Sequence, residues 1–339
     1  MARPPRPVEA LRARARGGPL ASRRQALVAL SSLASLPFIQ AFDLEAAPLA
    51  YELEPRQLTD GIWMIAGAQE AITSRNGGAI ANVLVLDSSA GAIVVDTGPS
   101  LRFGEALAAL ARQLTGKDVA RVYITHFHPD HVFGNQAFAP ELIAAPQGVI
   151  DGLRTTGEDF ATAMYHAVGD WMRGTEVVLP SRVVDGGYED VGDRRLRFLP
   201  LAGHTASDLA IFDERTGLLI AGDLVFLDRA PTTPHAELGR WRTALATLGG
   251  IPHSLLVPGH GPAEPGARGI EQTRRWLDSI HEIIREAFDK GLSMNETAAL
   301  DLPAWTGTIA LARYEFERSV AHLVPKLEAE KLPRVDERS

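Results

Sequence analysis

Thr125-His126-Phe127-His128-Pro129-Asp130-His131 places three imidazoles and a carboxylate within six residues. It directly follows Val122-Tyr123-Ile124, an apolar run that reads as a buried strand. In an extended loop side chains alternate, so His126 and His128 point the same way and both can hold one metal ion. After Pro129 the chain can turn into a helix. That turn aims Asp130 and His131 at a neighbouring point. Two adjacent metal sites follow from this spacing. The plain alternative is a group of surface or capping histidines, but such a cluster rarely arises by chance.

Further along the chain, three more residues supply what the cluster lacks. His204 follows the strand Arg195–Leu201, Asp223 follows Leu218–Ala221, and His260 follows Leu255–Val257. Each sits at the end of an apolar strand beside a glycine, which permits close backbone approach. Singly, each is a common structural residue. Together with the cluster they read H-x-H-x-D-H, H, D, H.

That order and its flanking residues resemble the metallo-β-lactamase superfamily of metal-dependent hydrolases, and Asp96-Thr97-Gly98 matches its upstream motif. The likeness covers about residues 58–262. It implies an α/β (α+β) fold, the four-layer αββα sandwich, with metals at one edge of two packed sheets. Carried over, it assigns His126, His128 and His204 to a first metal. Asp130, His131 and His260 go to a second, and Asp223 bridges them. A cysteine at position 223 would resemble the cysteine-ligand β-lactamases; with no Cys in the chain, the set is more similar to glyoxalase II type hydrolases. Histidine rather than glutamate at position 128 favours zinc over the flavo-diiron pattern, although ligand type also fits iron or manganese.

The implied cofactor is two Zn²⁺ per chain. Two zinc ions about 3.5–4 Å apart can share a hydroxide that attacks an acyl carbon of an ester, thioester, lactone or β-lactam. Asp130 can orient that hydroxide and relay its proton. Asp96 reads either as an acceptor fixing a ligand imidazole or as a turn residue before Gly98. Asp208 reads as a similar outer partner or as a strand start. Arg229 and His235 fall on a rim loop and are substrate-contact candidates. Asn76 belongs to the same group, on residues 71–78, which read either as a hairpin over the site or as only a turn. Competing readings are a non-hydrolytic mononuclear iron enzyme on the same fold, and a metal-stabilised binding protein.

Glu54-Pro55-Arg56, Asp96-Thr97-Gly98-Pro99-Ser100 and residues 169–176 also resemble the quinoprotein relay system zinc metallohydrolases, associated with periplasmic dehydrogenase systems. The N-terminus agrees with an exported protein. Residues 1–24 carry seven Arg and one Glu, and Ser22-Arg23-Arg24-Gln25-Ala26-Leu27 resembles a twin-arginine export motif ahead of the apolar Ala26–Leu36 run. A mispredicted start would instead leave a cytoplasmic protein. The domain reading is a leader over 1–47, a metallo-β-lactamase-fold domain over 48–265 and a helical extension over 266–339.

Composition narrows the function classes. The chain has 339 residues, a formal net charge of −8 and 45% apolar residues, an ordinary globular balance. Without cysteine there is no disulfide, thiol nucleophile or iron–sulfur cluster. An acidic body with no Lys/Arg stripe argues against nucleic acid. No apolar run is long enough for a stable membrane anchor. The expected partner is a small-molecule substrate, with the oligomeric state open.

Overall fold

Leu84 and Leu86 enter one apolar layer while Val83 and Val85 enter another, the pattern of a strand buried on both faces. They lie on β3 (Val83–Ser88). The computed structural model describes residues 49–331. The Arg-rich leader and its apolar run lie outside the described residues.

The first sheet has the order β1 (Pro55–Thr59), β2 (Ile62–Ile65), β3, β4 (Gly91–Val95), β5 (Val119–Tyr123), β6 (Ile143–Ala145) and β7 (Arg182–Val183). It is antiparallel from β1 to β4 and parallel from β4 to β7. The second sheet contains β8 (Gly187–Val191), β9 (Arg194–Leu201), β10 (Asp208–Asp213), β11 (Leu218–Phe226) and β12 (Leu255–His260), antiparallel except for the β11–β12 pair.

Three apolar layers hold these sheets. The middle layer joins Met64, Leu84, Leu86, Ile93 and Tyr123 to Phe198, Leu209, Ile211, Ile220 and Val257. Outside the first sheet pack α1 (Leu101–Thr115) and α3 (Gln147–Val168), through Phe103, Leu107, Leu153 and Met164. Outside the second sheet pack α4 (Leu238–Gly249), α5 (Arg268–Asp289) and α7 (Ala312–Lys331), through Trp241, Trp276, Ile280, Phe316 and Val320. The order helix, sheet, sheet, helix is the expected αββα sandwich. The helices beyond residue 266, which include the short α6 (Met294–Ala298) between α5 and α7, share the apolar layer of the second sheet.

Local signals explain most elements. Ser100 caps α1 by accepting from the Phe103 N–H at 3.3 Å, and Gly116 closes it with φ 69°. Two local readings of the sequence need correction. The run Tyr51–Leu58 reads as a strand, but the strand begins only at Pro55. The Tyr51 ring instead packs 4.4 Å from Trp171, and its hydroxyl donates to the Gly77 carbonyl at 2.7 Å. Met164, Val168 and Trp171 make Glu158–Arg173 read as a helix; the structure has the longer α3, followed by a 3₁₀ turn over Gly169–Met172. Its early half holds glycines that read as breakers. At Gly152 a Cβ would lie 2.6 Å from the Phe127 ring, so this glycine serves close packing. No described helix is long and apolar enough to cross a membrane.

Candidate metal centre

The parallel pair β4–β5 ends in Asp96 and in the Thr125–His131 loop, so one sheet edge presents both. His128 precedes α2 (Pro129–Val132), whose first turn brings Asp130 and His131 inward. From the second sheet come His204 after β9, Asp223 within β11 and His260 at the end of β12. Asp223 sits on an irregular stretch where the β11–β12 register shifts around Gly222, which has φ 53°. At Gly259 a Cβ would lie 1.9 Å from Asp223 Oδ1, so only glycine leaves room for that carboxylate.

All seven expected residues converge and are buried. They form two groups, His126, His128, His204 with Asp223, and Asp130, His131 with His260; in each, donor atoms lie within 4.8 Å of one another. Asp223 faces both. Its Oδ1 is 3.3 Å from His131 Nε2, and its Oδ2 is 3.3 Å from His204 Nε2 and 3.2 Å from His260 Nε2. Asp130 Oδ2 lies 3.4 Å from His260 Nε2. His204 Nε2 and His128 Nδ1 are 2.8 Å apart. Two ring nitrogens at that distance share either a proton or a cation.

The outer edges of the rings are held by the protein. Asp96 Oδ2 lies 2.7 Å from His131 Nδ1 and accepts from the Thr125 hydroxyl at 2.8 Å. That hydroxyl lies 3.0 Å from His126 Nδ1. One carboxylate therefore orients two imidazoles, the second through threonine. His260 Nδ1 is 2.8 Å from the Ile80 carbonyl, and His128 Nε2 is 2.9 Å from His235 Nδ1. These partners turn the opposite nitrogen of each ring inward. Among the described residues, His126 Nε2, His131 Nε2 and Asp223 Oδ1 are buried without a hydrogen-bond partner. Buried, unmatched donor atoms with nitrogen and oxygen chemistry fit a borderline metal ion such as zinc.

Charge follows the same division. Burial holds His126, His128 and His204 well below the ordinary imidazole range, so they stand neutral. Burial also opposes charge on His131, but the carboxylates of Asp223, Asp96 and Asp130 outweigh it and raise its pKa. For Asp223, burial is outweighed by the surrounding imidazoles, which hold it well below the usual carboxylate range.

A cavity of about 330 Å³ opens on the cluster. His128, Asp130, Asp223 and His260 lie at its base, and Phe160 and Met164 of α3 contribute apolar wall. Arg229 and His235 line it. Asn76 does not. Its Oδ1 accepts from the Thr73 and Gly78 N–H groups, each at 3.0 Å, and its Nδ2 donates to the Ala71 carbonyl at 2.8 Å. The amide closes its own turn, which corrects the substrate-contact expectation. Asp208 accepts from the Thr205 hydroxyl at 2.9 Å and N–H at 3.1 Å, bracing the loop of His204 without touching its ring.

Sequence reading missed several contributors. Asn82 donates to the Pro258 and Gly261 carbonyls, both at 2.8 Å, and so pins the strand end carrying His260. Tyr314, Glu315 and Arg318 of α7 also line the cavity. No local pattern marks these residues. Thr125 was legible, as a hydroxyl directly before the first histidine.

The model of the metallo-beta-lactamase superfamily matches residues 76–260. The chain belongs to this superfamily. A metallo-beta-lactamase from Pontibacter korlensis shares the sandwich, with a TM-score of 0.56 at 18% identity over 67% of this chain and 99% of that one. Among superfamily relatives, a beta-lactamase-like protein 2 homolog of Caenorhabditis elegans is 27% identical over 63% of this chain and 66% of its own length. The linear primary-alkylsulfatase of a Pseudomonas strain is 22% identical over 62% of this chain and 48% of its length. The acyl-coenzyme A thioesterase MBLAC2 of Bos taurus is 27% identical over 50% of this chain and 66% of its length. The chain thus spans about half to two thirds of these curated relatives.

Proposed function

We propose that the protein is a dinuclear zinc hydrolase that cleaves an acyl bond of a small ester, thioester, lactone or β-lactam. The observation that carries this reading is the pair of donor groups joined by Asp223 beneath an open cavity. His126, His128 and His204 would hold one ion; Asp130, His131 and His260 would hold the other; Asp223 would serve both. Bound there, zinc supplies water acidic enough to ionise near neutral pH and a Lewis acid for the carbonyl oxygen. The relatives named as a thioesterase and a sulfatase support hydrolysis of small molecules.

The chain's own groups prepare that chemistry. Asp96 and the Thr125 hydroxyl hold the Nδ1 edges of His131 and His126, which leaves Nε2 of both rings directed inward. His128 works in the other sense, with Nδ1 inward and its Nε2–H donated to His235. His131 gives up its proton when a cation binds. Asp130, beside His260 at the cavity base, is placed to orient the attacking water and take its proton. Apolar wall from Phe160 and Met164 limits competing water.

The test is metal quantification on reconstituted protein, followed by a hydrolase screen over thioesters, lactones, β-lactams and phosphodiesters. Two zinc ions per chain with turnover of an acyl substrate is the expected result. One iron per chain with O₂ consumption would replace this reading with the non-hydrolytic one. We further propose export and service to a periplasmic quinoprotein dehydrogenase system, on the strength of Arg23-Arg24 and the matching motifs. Arg23→Lys with Arg24→Lys should retain the protein in the cytoplasm; unchanged fractionation would remove the export proposal.

A further inference from the structure

The outer partners of the histidine cluster differ in burial. Asp96, Thr125 and Ile80, which hold His131, His126 and His260, are buried. His235, which holds His128 across 2.9 Å, is exposed. Water competes for an exposed hydrogen bond. The rings of Phe160 and Phe127, with centroids 5.8 and 6.0 Å from that of His235, guide its imidazole but do not fix its backbone. His235 therefore stays on His128 only as far as its own segment is anchored.

That segment is the loop over residues 227–237, between β11 and α4. Connecting loops are ordinarily mobile, but helix α7 holds this one on both sides of His235. The Ser319 hydroxyl donates to the Glu315 carbonyl at 2.6 Å, which leaves Ser319 Oγ to accept from the Thr233 hydroxyl at 2.7 Å. Ser319 and Thr233 are both fully buried. The Thr232 hydroxyl donates to Glu315 Oε1 at 3.0 Å, and Lys326 Nζ donates to the Ala236 carbonyl at 3.2 Å. Pro234 stands between Thr233 and His235 with a fixed φ, so a shift at Thr233 is passed on to His235. The loop also meets a second ligand of the same donor group, since Glu237 N–H donates at 2.9 Å to the carbonyl of Gly203, directly before His204.

We propose that Thr233 and Ser319 are positioning residues of the metal centre. Their hydrogen bond seats His235 on His128, so helix α7 sets how tightly the donor group His126, His128 and His204 holds its ion. His131 and His260 of the other group are held instead by Asp96 and the Ile80 carbonyl, beside strands of the first sheet. This rests on reading the cluster as a metal centre.

The test is zinc affinity, not turnover. Metal-stripped protein competes for zinc with a chromophoric chelator, which resolves stepwise affinities. Thr233→Val should weaken one zinc affinity about tenfold and change the other by less than about threefold. Thr233→Ser keeps the hydroxyl and should stay within about threefold of the wild-type protein for both. Ser319→Ala removes the acceptor from the α7 side and should give the same selective loss, which carries the test if Thr233→Val fails to fold. In a His235→Ala background Thr233→Val should add nothing, because its route to His128 is already cut. Unchanged affinities in the folded variants overturn the proposal. So does a parallel loss of both ions, or a loss that adds to that of His235→Ala, since either means a packing role. One zinc per chain, weakened tenfold by Thr233→Val, supports the proposal and removes only the dinuclear reading. A wild-type protein that binds no zinc overturns both.

Discussion

Arg194 and His126 are each 1% exposed, at opposite ends of the same two sheets. At the Arg194 end the donors of the guanidinium are met from within. The guanidinium donates to Asp213 at 2.8 Å, to the Gly61 carbonyl at 2.9 Å, to the Asp60 carbonyl at 3.3 Å, and to the Asp87 carbonyl. It ties the start of β9 to the turn before β2 and to the end of β3, and so clamps one sheet to the other. At the histidine end the outer ring edges are held equally firmly, but the inward atoms of His126, His131 and Asp223 are left without partners. Both regions desolvate ionisable groups. One is closed around its charge, and the other is prepared to receive a ligand.

Breaking the closed end should have the largest effect. Arg194→Met leaves Asp213 buried without its cation and should cost about 3–5 kcal/mol in urea unfolding of the metal-free protein. Turnover per folded molecule should not change. Adding Asp213→Leu should recover most of the loss. If the double variant is as unstable as the single one, the clamp is not held by this ion pair.

At the open end the same logic predicts loss of chemistry with retention of fold. Asp223→Asn keeps size and removes the charge that serves both donor groups. We expect about one metal per chain, and turnover reduced about 10²-fold or more, by analogy with removal of other transition-state electrostatics. Gly259→Ala should act in the same direction, because its Cβ would meet Asp223 Oδ1. Two retained metals with near-full turnover in Asp223→Asn would make Asp223 a structural strand residue and erase the contrast between the ends.

A smaller effect sharpens the comparison through pH. Burial pushes the Asp208 carboxyl up to about 7, against the hydrogen bonds from Thr205 that favour its charged form. A raised carboxyl contributes stability that is full below the unfolded value near 3.8 and is lost as pH rises through the folded value. Asp208→Asn keeps an acceptor for Thr205 and does not ionise. Between pH 4 and pH 8 the metal-free variant should therefore gain on the wild-type protein by roughly 3–4 kcal/mol. Parallel stability curves would show that Asp208 stays ionised and belongs with the matched groups.

Much of this was legible before the fold was known, and the exceptions are specific. The loop Thr125–His131 declares itself because its donors are adjacent in the chain. His204, Asp223 and His260 were recognised only as a set. Strand β8 was missed because it is a polar, largely exposed edge strand, Gly187-Tyr188-Glu189-Asp190-Val191. Helix α4 was missed because its apolar stripe, Trp241, Ala244, Leu245 and Leu248, is only two turns long. Asn76 was misread because a turn asparagine and a ligand-binding one look alike until its amide partners are known.

Sequence by itself determined the identity and order of the seven donors and the apolar runs that become buried strands beside them. These depend on spacing within a few residues, which backbone geometry converts directly into direction. Only the tertiary structure decided that Asp223 faces both donor groups, that Asp96 orients two rings through Thr125, and that His235 holds His128. It also brought α7 to the wall of the cavity and buried Arg229 there. Those relations join segments far apart in the chain, and strand register, a bulge at Gly222 and the packing of helices on sheets set their distances.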